Sequence, residues 1–220
     1  MIIAIDGPAA SGKSTVAREV AKRLGYKYID TGAMYRAVTW KALKEKIDIT
    51  KADAITALAR GADIEITDLK DTQYRVFIDG EDVTEAIRSP KVSAAVSTIA
   101  KIGRVRTALV KKQRSYADTY PNMVVEGRDI GTVVFPDAEA KVFLTASPIE
   151  RAKRRQRELK EKGHKLEVTT VERDIITRDK IDATRITSPL AKAPDAYVID
   201  TTDKTIGQVV QLIINLVKKS

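Results

Sequence analysis

Apolar positions along this chain change rhythm several times, and each change marks an element. Met1 to Asp6 (MIIAID) is a short Ile-rich run followed directly by Gly7-Pro8, the pattern of a buried strand that ends in a loop. From Lys13 to Leu24 the apolar residues Val16, Ala17, Val20, Ala21 and Leu24 recur at helical spacing, and Gly25 stands where a helix stops. Tyr26–Asp30 reads as a second strand, and 33–46 and 51–60 as helices. Between about 63 and 84 the period becomes two (IEI, then YRVFI), with Asp79-Gly80 as a hairpin turn, which predicts a small antiparallel element.

Helical periodicity returns from about Pro90 to Ala117. Two apolar runs, 123–125 and 141–144, then suit interior strands of a parallel sheet. Ser147-Pro148-Ile149-Glu150 has the residues of a capping box and predicts that a basic helix starts there. A charged segment at 167–182, a strand at 197–200 and a helix at 205–219 complete the chain; the last has Ile206, Val209, Val210, Ile213 and Val217 on one face and Lys218-Lys219 at its negative end. Strands alternating with helices predict an α/β fold. Its mostly parallel sheet would be covered by helices on both faces, with a small antiparallel insertion, in one domain over residues 1–220.

Composition narrows the chemistry. The chain has no cysteine, which excludes disulfides, thiolate catalysis and sulfur-ligated zinc and fits a reducing interior, so a cytoplasmic location is expected. MIIAIDGPAASGK has no basic leader and no stretch approaches the roughly 18 apolar residues of a membrane span, so neither secretion nor a membrane partner is expected. The formal charge is +9. Residues 101–116 and 151–165 each carry a net +6, more than the whole excess between them, so the basicity sits in two patches that want anionic partners. His164, the sole histidine, lies in a loop-like Lys-Gly-His-Lys stretch and reads as solvated.

Gly7-Pro8-Ala9-Ala10-Ser11-Gly12-Lys13-Ser14 fits G-x-x-x-x-G-K-[ST] between a predicted strand and a predicted helix, the context that gives the pattern meaning. Such a loop turns its backbone N–H groups onto phosphate oxygens at a helix N-terminus. Lys13 would reach the β- and γ-phosphates and the Ser14 hydroxyl would hold Mg²⁺, which makes an ATP or GTP site. The loop alone leaves switch GTPases, nucleic-acid ATPases and small-molecule kinases open. Arg151, Arg154 and Arg155 share a helix face, with Arg157 nearby, and suit a lid that stabilises a transferring phosphoryl group. Arg36, Arg106, Arg128 and Arg185 lie outside that helix, beside turns and strand ends. There they could grip an acceptor phosphate, which needs arginines rather than a base because it is already largely dianionic at pH 7. An RNA-binding ATPase, and a kinase of a hydroxyl acceptor with Asp129 as base, stay open on these residues; few aromatics and no RNA-binding motif weigh against nucleic acid.

The segments GPAASGKST (7–15), DTGAMYR (30–36), EGRDIGTVVFP (126–136), SPIERAKRR (147–155) and DATRITSPL (182–190) together resemble the successive signatures of the bacterial cytidylate kinase family. The hairpin VFIDGEDVT (76–84) resembles the inserted segment of its long form. The resemblance implies transfer of the ATP γ-phosphoryl group to CMP or dCMP with Mg²⁺, by a chain expected to be a monomer. It implies a nucleoside-monophosphate-binding region at 32–105 and an arginine-rich helical lid at 148–182. ATP would be held by residues 7–15, Thr15 included. The acceptor phosphate would meet Thr31, Arg36, Arg128 and Arg185; the ribose Tyr35, Arg178 and Asp182; the base Ser97, Arg106 and Asp129. Cytosine needs an acceptor for its amine and donors for N3 and O2, which a carboxylate, a hydroxyl and a guanidinium supply. Asp129 could equally pair with Arg128, cap a turn or stand behind Mg²⁺.

Overall fold

The structure, a computed structural model, describes residues 1–68, 74–161, 163 and 165–218. His164, expected to be solvated, and Lys219, expected at the negative end of the last helix, lie outside the described residues. Strands β1 (Ile2–Asp6), β2 (Lys27–Asp30), β6 (Met123–Gly127), β7 (Ala140–Thr145) and β8 (Tyr197–Asp200) form a five-stranded sheet in the order β2-β6-β1-β7-β8. Every pairing in it is parallel. Ile3, Ala4, Ile5, Val124 and Val142 are all buried, so consecutive side chains that point to opposite faces are both covered. The covering helices are α1 (Lys13–Leu24), α2 (Thr31–Lys44), α5 (Gly103–Thr119) and α8 (Ile206–Val217), with α1 packed against β6 and α8. β8, at the edge, leaves Tyr197 and Val198 exposed.

The insertion is a three-stranded antiparallel sheet of β3 (Ile64–Asp68), β4 (Tyr74–Ile78) and β5 (Glu81–Asp82). Asp79 and Gly80 both take positive φ, 51° and 78°, as a two-residue turn with this twist requires. α3 (Ala52–Gly61) and α4 (Pro90–Ala100) flank it, and α6 (Pro148–Glu161) and α7 (Val168–Thr184) form a helical pair over the phosphate loop.

Three expectations need correction. The helical stretch at 90–117 is two helices: Ile102 is extended (φ −74°, ψ 107°), and Gly103 starts α5 where a Cβ would come within 2.9 Å of Thr187 Oγ1. The capping box at Ser147 is half formed. Ser147 Oγ accepts from the Glu150 N–H at 3.3 Å, but the Ser147 N–H goes to Thr202 Oγ1, and the Glu150 carboxylate is taken by Arg154 at 2.9 Å. On α8, Ile206 is exposed while Val209, Val210, Ile213 and Val217 are buried; a full capping box of Thr205 and Gln208 starts that helix.

Candidate active site

The phosphate loop leaves β1 through a glycine that nothing else could replace: a Cβ on Gly7 would sit 2.1 Å from the Leu144 carbonyl oxygen of β7. Gly12, at φ 89°, precedes α1 without a side-chain cap, so the first N–H groups of that helix face the loop's concavity. Lys13 is buried and folded over the loop, donating to the Pro8 carbonyl at 2.7 Å and to Ser11 Oγ at 3.4 Å. Burial, helped by the nearby Arg128 charge, pushes its ammonium down to about 7. The lid pair is fastened to this loop: the Ala9 N–H donates to Asp179 Oδ1 at 2.9 Å, while Arg151 donates to the Ala9 carbonyl at 3.1 Å and to Asp179.

A cleft of about 630 Å³ opens beside the loop, beyond the carboxyl ends of β1, β2 and β6. Every residue the resemblance implied for the acceptor lies on its wall, alongside residues 9–15 of the loop; Gly7 and Pro8 stand behind it. The side chains arrive from separate elements: Thr31, Tyr35 and Arg36 from α2, Ser97 from α4, Arg106 from α5, Arg128 and Asp129 from the end of β6, Arg178 and Asp182 from α7, and Arg185 as the C-cap of α7. Thr31 Oγ1 donates to the Glu126 carbonyl at 2.7 Å.

Carboxylates hold most of these guanidiniums. Arg36 meets Asp30 at 2.7 Å, Arg106 meets Asp129 at 2.5 Å, and Arg128 meets Asp182 at 3.0 Å. Arg185 reaches Asp182 at 3.4 Å and Asp129 at 3.7 Å. Asp129 therefore pairs with Arg106 and Arg185, not with its neighbour Arg128. Among the described residues, Arg36 Nε, Arg106 Nε, Arg178 Nε and Arg185 Nη2 are buried without a hydrogen-bond acceptor. Burial, reinforced by Arg128, lowers Arg178 to about 10. Tyr35 lies under the Arg106 guanidinium at 5.0 Å, and burial raises its phenol to about 12. Trp40 lies off the cleft wall, partly buried against the core with Lys44 Nζ 4.7 Å over its ring.

The lid arginines divide. Only Arg155 lines the cleft, paired with Glu158 at 2.9 Å. Arg151 is buried as the clamp just described. Arg154 is anchored to the Thr201 hydroxyl at 2.9 Å and the Thr201 carbonyl at 2.7 Å. Arg157, at 68% side-chain exposure, faces Glu150 away from the cleft. A shared helix face fixes which side chains neighbour each other, but not which side of the face meets the loop.

Three carboxylates escaped the sequence reading. Asp6 accepts the Ile130 and Gly131 N–H groups at 2.8 Å each and so fixes the turn that follows Asp129; burial raises it to about 6 despite those bonds. Glu126 accepts from the Tyr28 hydroxyl and lies beside Ser14 and Lys13; burial, then the Asp30 charge, raises it. Asp30 caps α2 through the Ala33 N–H and is held low, against its burial, by the Arg36 charge and the Tyr74 hydroxyl. A common signal was available, since Asp6 and Asp30 end apolar parallel strands and Glu126 stands one residue before such an end, where open α/β sheets place their sites.

A phosphate loop facing an arginine-lined cleft across a parallel sheet defines an ATP-dependent small-molecule kinase. Residues 3–219 match the family described as Cytidylate kinase. The chain is 50% identical over 212 residues to the cytidylate kinase of Pelotomaculum thermopropionicum, covering 96% of this chain and 93% of that one. It is 51% identical over 218 residues to that of Caldanaerobacter subterraneus subsp. tengcongensis, covering 99% and 95%. An uncharacterized protein from Eubacterium ventriosum shares the fold with a TM-score of 0.54 at 13% identity, over 100% of this chain and 99% of that one. The chain belongs to the cytidylate kinase family.

Proposed function

We infer that this chain transfers the γ-phosphoryl group of ATP to CMP or dCMP, with ATP on residues 7–15 and the acceptor in the arginine-lined cleft. The observation that carries this reading is the set of buried guanidinium nitrogens without a protein acceptor on one wall, opposite the phosphate loop. Buried donors left unpaired are costly, and a phosphate dianion satisfies several at once. An oxygen of the acceptor phosphate forms the new bond to the γ-phosphorus in line with the leaving oxygen, whose bond to phosphorus breaks to release ADP. No proton need be removed from a dianionic acceptor at neutral pH. A hydroxyl acceptor would need a free base, and Asp129 is engaged by two guanidiniums.

The Ser14 hydroxyl beside the Glu126 carboxylate suits Mg²⁺, which takes few protein oxygens and shares its shell with phosphates and water. When bound, the ion neutralises charge on the β- and γ-oxygens. Arg155 and Arg178 face the cleft and stabilise the transferring group, while Arg151 holds α6 to the loop and Arg154 holds it to Thr201 beyond β8. Residues 32–105 act as the acceptor-binding region and 148–182 as a lid that excludes water. Among the described residues no helix is long and apolar enough to cross a membrane. The test is ADP release from Mg-ATP with CMP, dCMP, UMP, AMP, GMP, shikimate or no acceptor, with and without RNA. Turnover confined to CMP and dCMP is expected; RNA-stimulated hydrolysis without acceptor would overturn the reading.

A further inference from the structure

The inserted sheet reaches the acceptor site through the hydroxyl of Tyr74. Tyr74, on β4, is buried, and its hydroxyl donates to Asp30 Oδ2 at 2.8 Å. The same oxygen accepts from Arg36 Nη2 at 2.7 Å, and Asp30 Oδ1 accepts from the Ala33 N–H at 2.9 Å. Asp30 is thus fixed at both oxygens. Its rotation decides where the Arg36 guanidinium, which lines the cleft and keeps a buried Nε without an acceptor among the described residues, is held. The Tyr74 ring is itself held edge-on to Tyr28 at 5.2 Å, with the guanidinium of Arg88, from the 3-10 helix Ala86–Arg88 after β5, 5.6 Å from its centroid.

We propose that Tyr74 is a positioning residue for the acceptor phosphate: through Asp30 it sets the Arg36 guanidinium, so that the inserted sheet tunes acceptor affinity without touching the acceptor. The inference rests on Arg36 as a phosphate contact. A carboxylate oxygen shared by a phenol and a guanidinium has a defined rotamer; without the phenol, Asp30 keeps its cap on α2 but can turn about its last bond, and Arg36 turns with it.

Tyr74→Phe retains the ring packing on Tyr28 and removes only the hydroxyl. Steady-state kinetics should show KM for CMP rising about tenfold with KM for ATP within about twofold, the size expected when a hydrogen bond to a charged group is lost. Titration calorimetry should show CMP binding weakened by a similar factor and cytidine, which lacks the phosphate, unchanged. Asp30→Asn keeps an N-cap oxygen and should shift the CMP constant the same way, and in an Arg36→Ala background Tyr74→Phe should add less than about twofold. If Arg36→Ala raises KM for CMP and Tyr74→Phe does not, the proposal fails while the acceptor reading stands. If neither substitution moves it, the Arg36 reading fails and takes the proposal with it. Equal weakening of CMP, cytidine and ATP would mean that the hydroxyl only supports the fold, which also overturns the proposal.

Discussion

Replacing Asp129 by asparagine separates two things that this carboxylate does. It neutralises Arg106 at 2.5 Å, and the side chains of Arg106 and Asp129 are 3% and 6% exposed. Its other oxygen lies 3.7 Å from Arg185, whose side chain is 4% exposed. D129N leaves two buried guanidiniums facing a neutral amide. Removing one member of a buried ion pair costs about 3–5 kcal/mol, and because the amide oxygen can still accept from Arg106 the lower end, about 3 kcal/mol, is expected. For a chain of this size each kcal/mol moves Tm by about 2–4 °C, so a fall of about 6–12 °C should appear in thermal unfolding of the free enzyme. The second effect concerns the base. A carboxylate accepts from the cytosine amine and repels a uracil carbonyl, whereas an amide can turn either its oxygen or its NH₂ toward the ligand. The CMP-to-UMP ratio of kcat/KM should therefore shrink by about 10–100-fold, the worth of one or two buried polar mismatches. If Tm falls and the ratio holds, the ion-pair argument survives and the cytosine assignment does not. If Tm moves by less than about 2 °C, the reasoning from burial is wrong.

Three further outcomes follow from the same geometry. Lys13, lowered to about 7 by burial, is largely neutral in the free protein at pH 8.5, and phosphates restore its charge. ATP binding at that pH should take up close to one proton, measured by calorimetry in two buffers, and the uptake should vanish in Lys13→Met, which should also lose turnover. Asp6 has its native pKa raised to about 6 from 3.8, so the folded state binds this proton more tightly and stability from this group falls as pH rises through that interval, with the penalty complete above about 6. Urea unfolding at pH 5 and 7.5 should differ between wild type and Asp6→Asn by about 1.4 kcal/mol in that double difference, and equal differences would refute the assignment. Arg155→Ala should lower kcat at least about thirtyfold while Arg157→Ala stays within about twofold; comparable falls would mean that the lid turns α6 much further than its fastening to Ala9 suggests.

How far the sequence could be read depended on whether a feature is local. The phosphate loop is contiguous, flanked by a strand and a helix with opposite periodicities, and was legible with its lysine and hydroxyl. The Asp79-Gly80 turn was legible because only such residues tolerate two successive positive φ angles. The break at Ile102 was not, since Val96, Ile99, Val105 and Leu109 are all buried and continue an apolar stripe across it, while the approach of Thr187 to Gly103 comes from far along the chain. Four arginines of the acceptor cleft were picked out by their place beside turns and strand ends, but their shared site, and Arg178 with it, came only through resemblance, because they come from three separate helices and a strand end. The carboxylates that hold them were passed over for the same reason. Asp30 looks like the tail of a strand until Arg36 and Tyr74 are seen to meet on one of its oxygens.

Those carboxylates also explain how the site can exist without substrate and still respond to it. Crowding guanidiniums into one buried wall is unfavourable by like-charge repulsion and desolvation, and Asp30, Asp129 and Asp182 offset this for Arg36, Arg106, Arg128 and Arg185. Arg178 has no ion pair among the described residues, and it is the guanidinium whose charge burial and Arg128 most clearly disfavour. In the proposed function, a phosphate anion near Arg178 and Arg128 would relieve that repulsion and give Arg178 Nε an acceptor. The same helix that carries Arg178 and Asp182 also carries Asp179, which holds the Ala9 N–H of the phosphate loop, and ends at Arg185. If α7 closes on the acceptor as the proposed lid does, its hold on the phosphate loop through Asp179 is strained or released. On the proposed function, coupling between the two substrates would need no relay through the sheet, because one helix is bonded to the phosphate loop and lines the acceptor cleft.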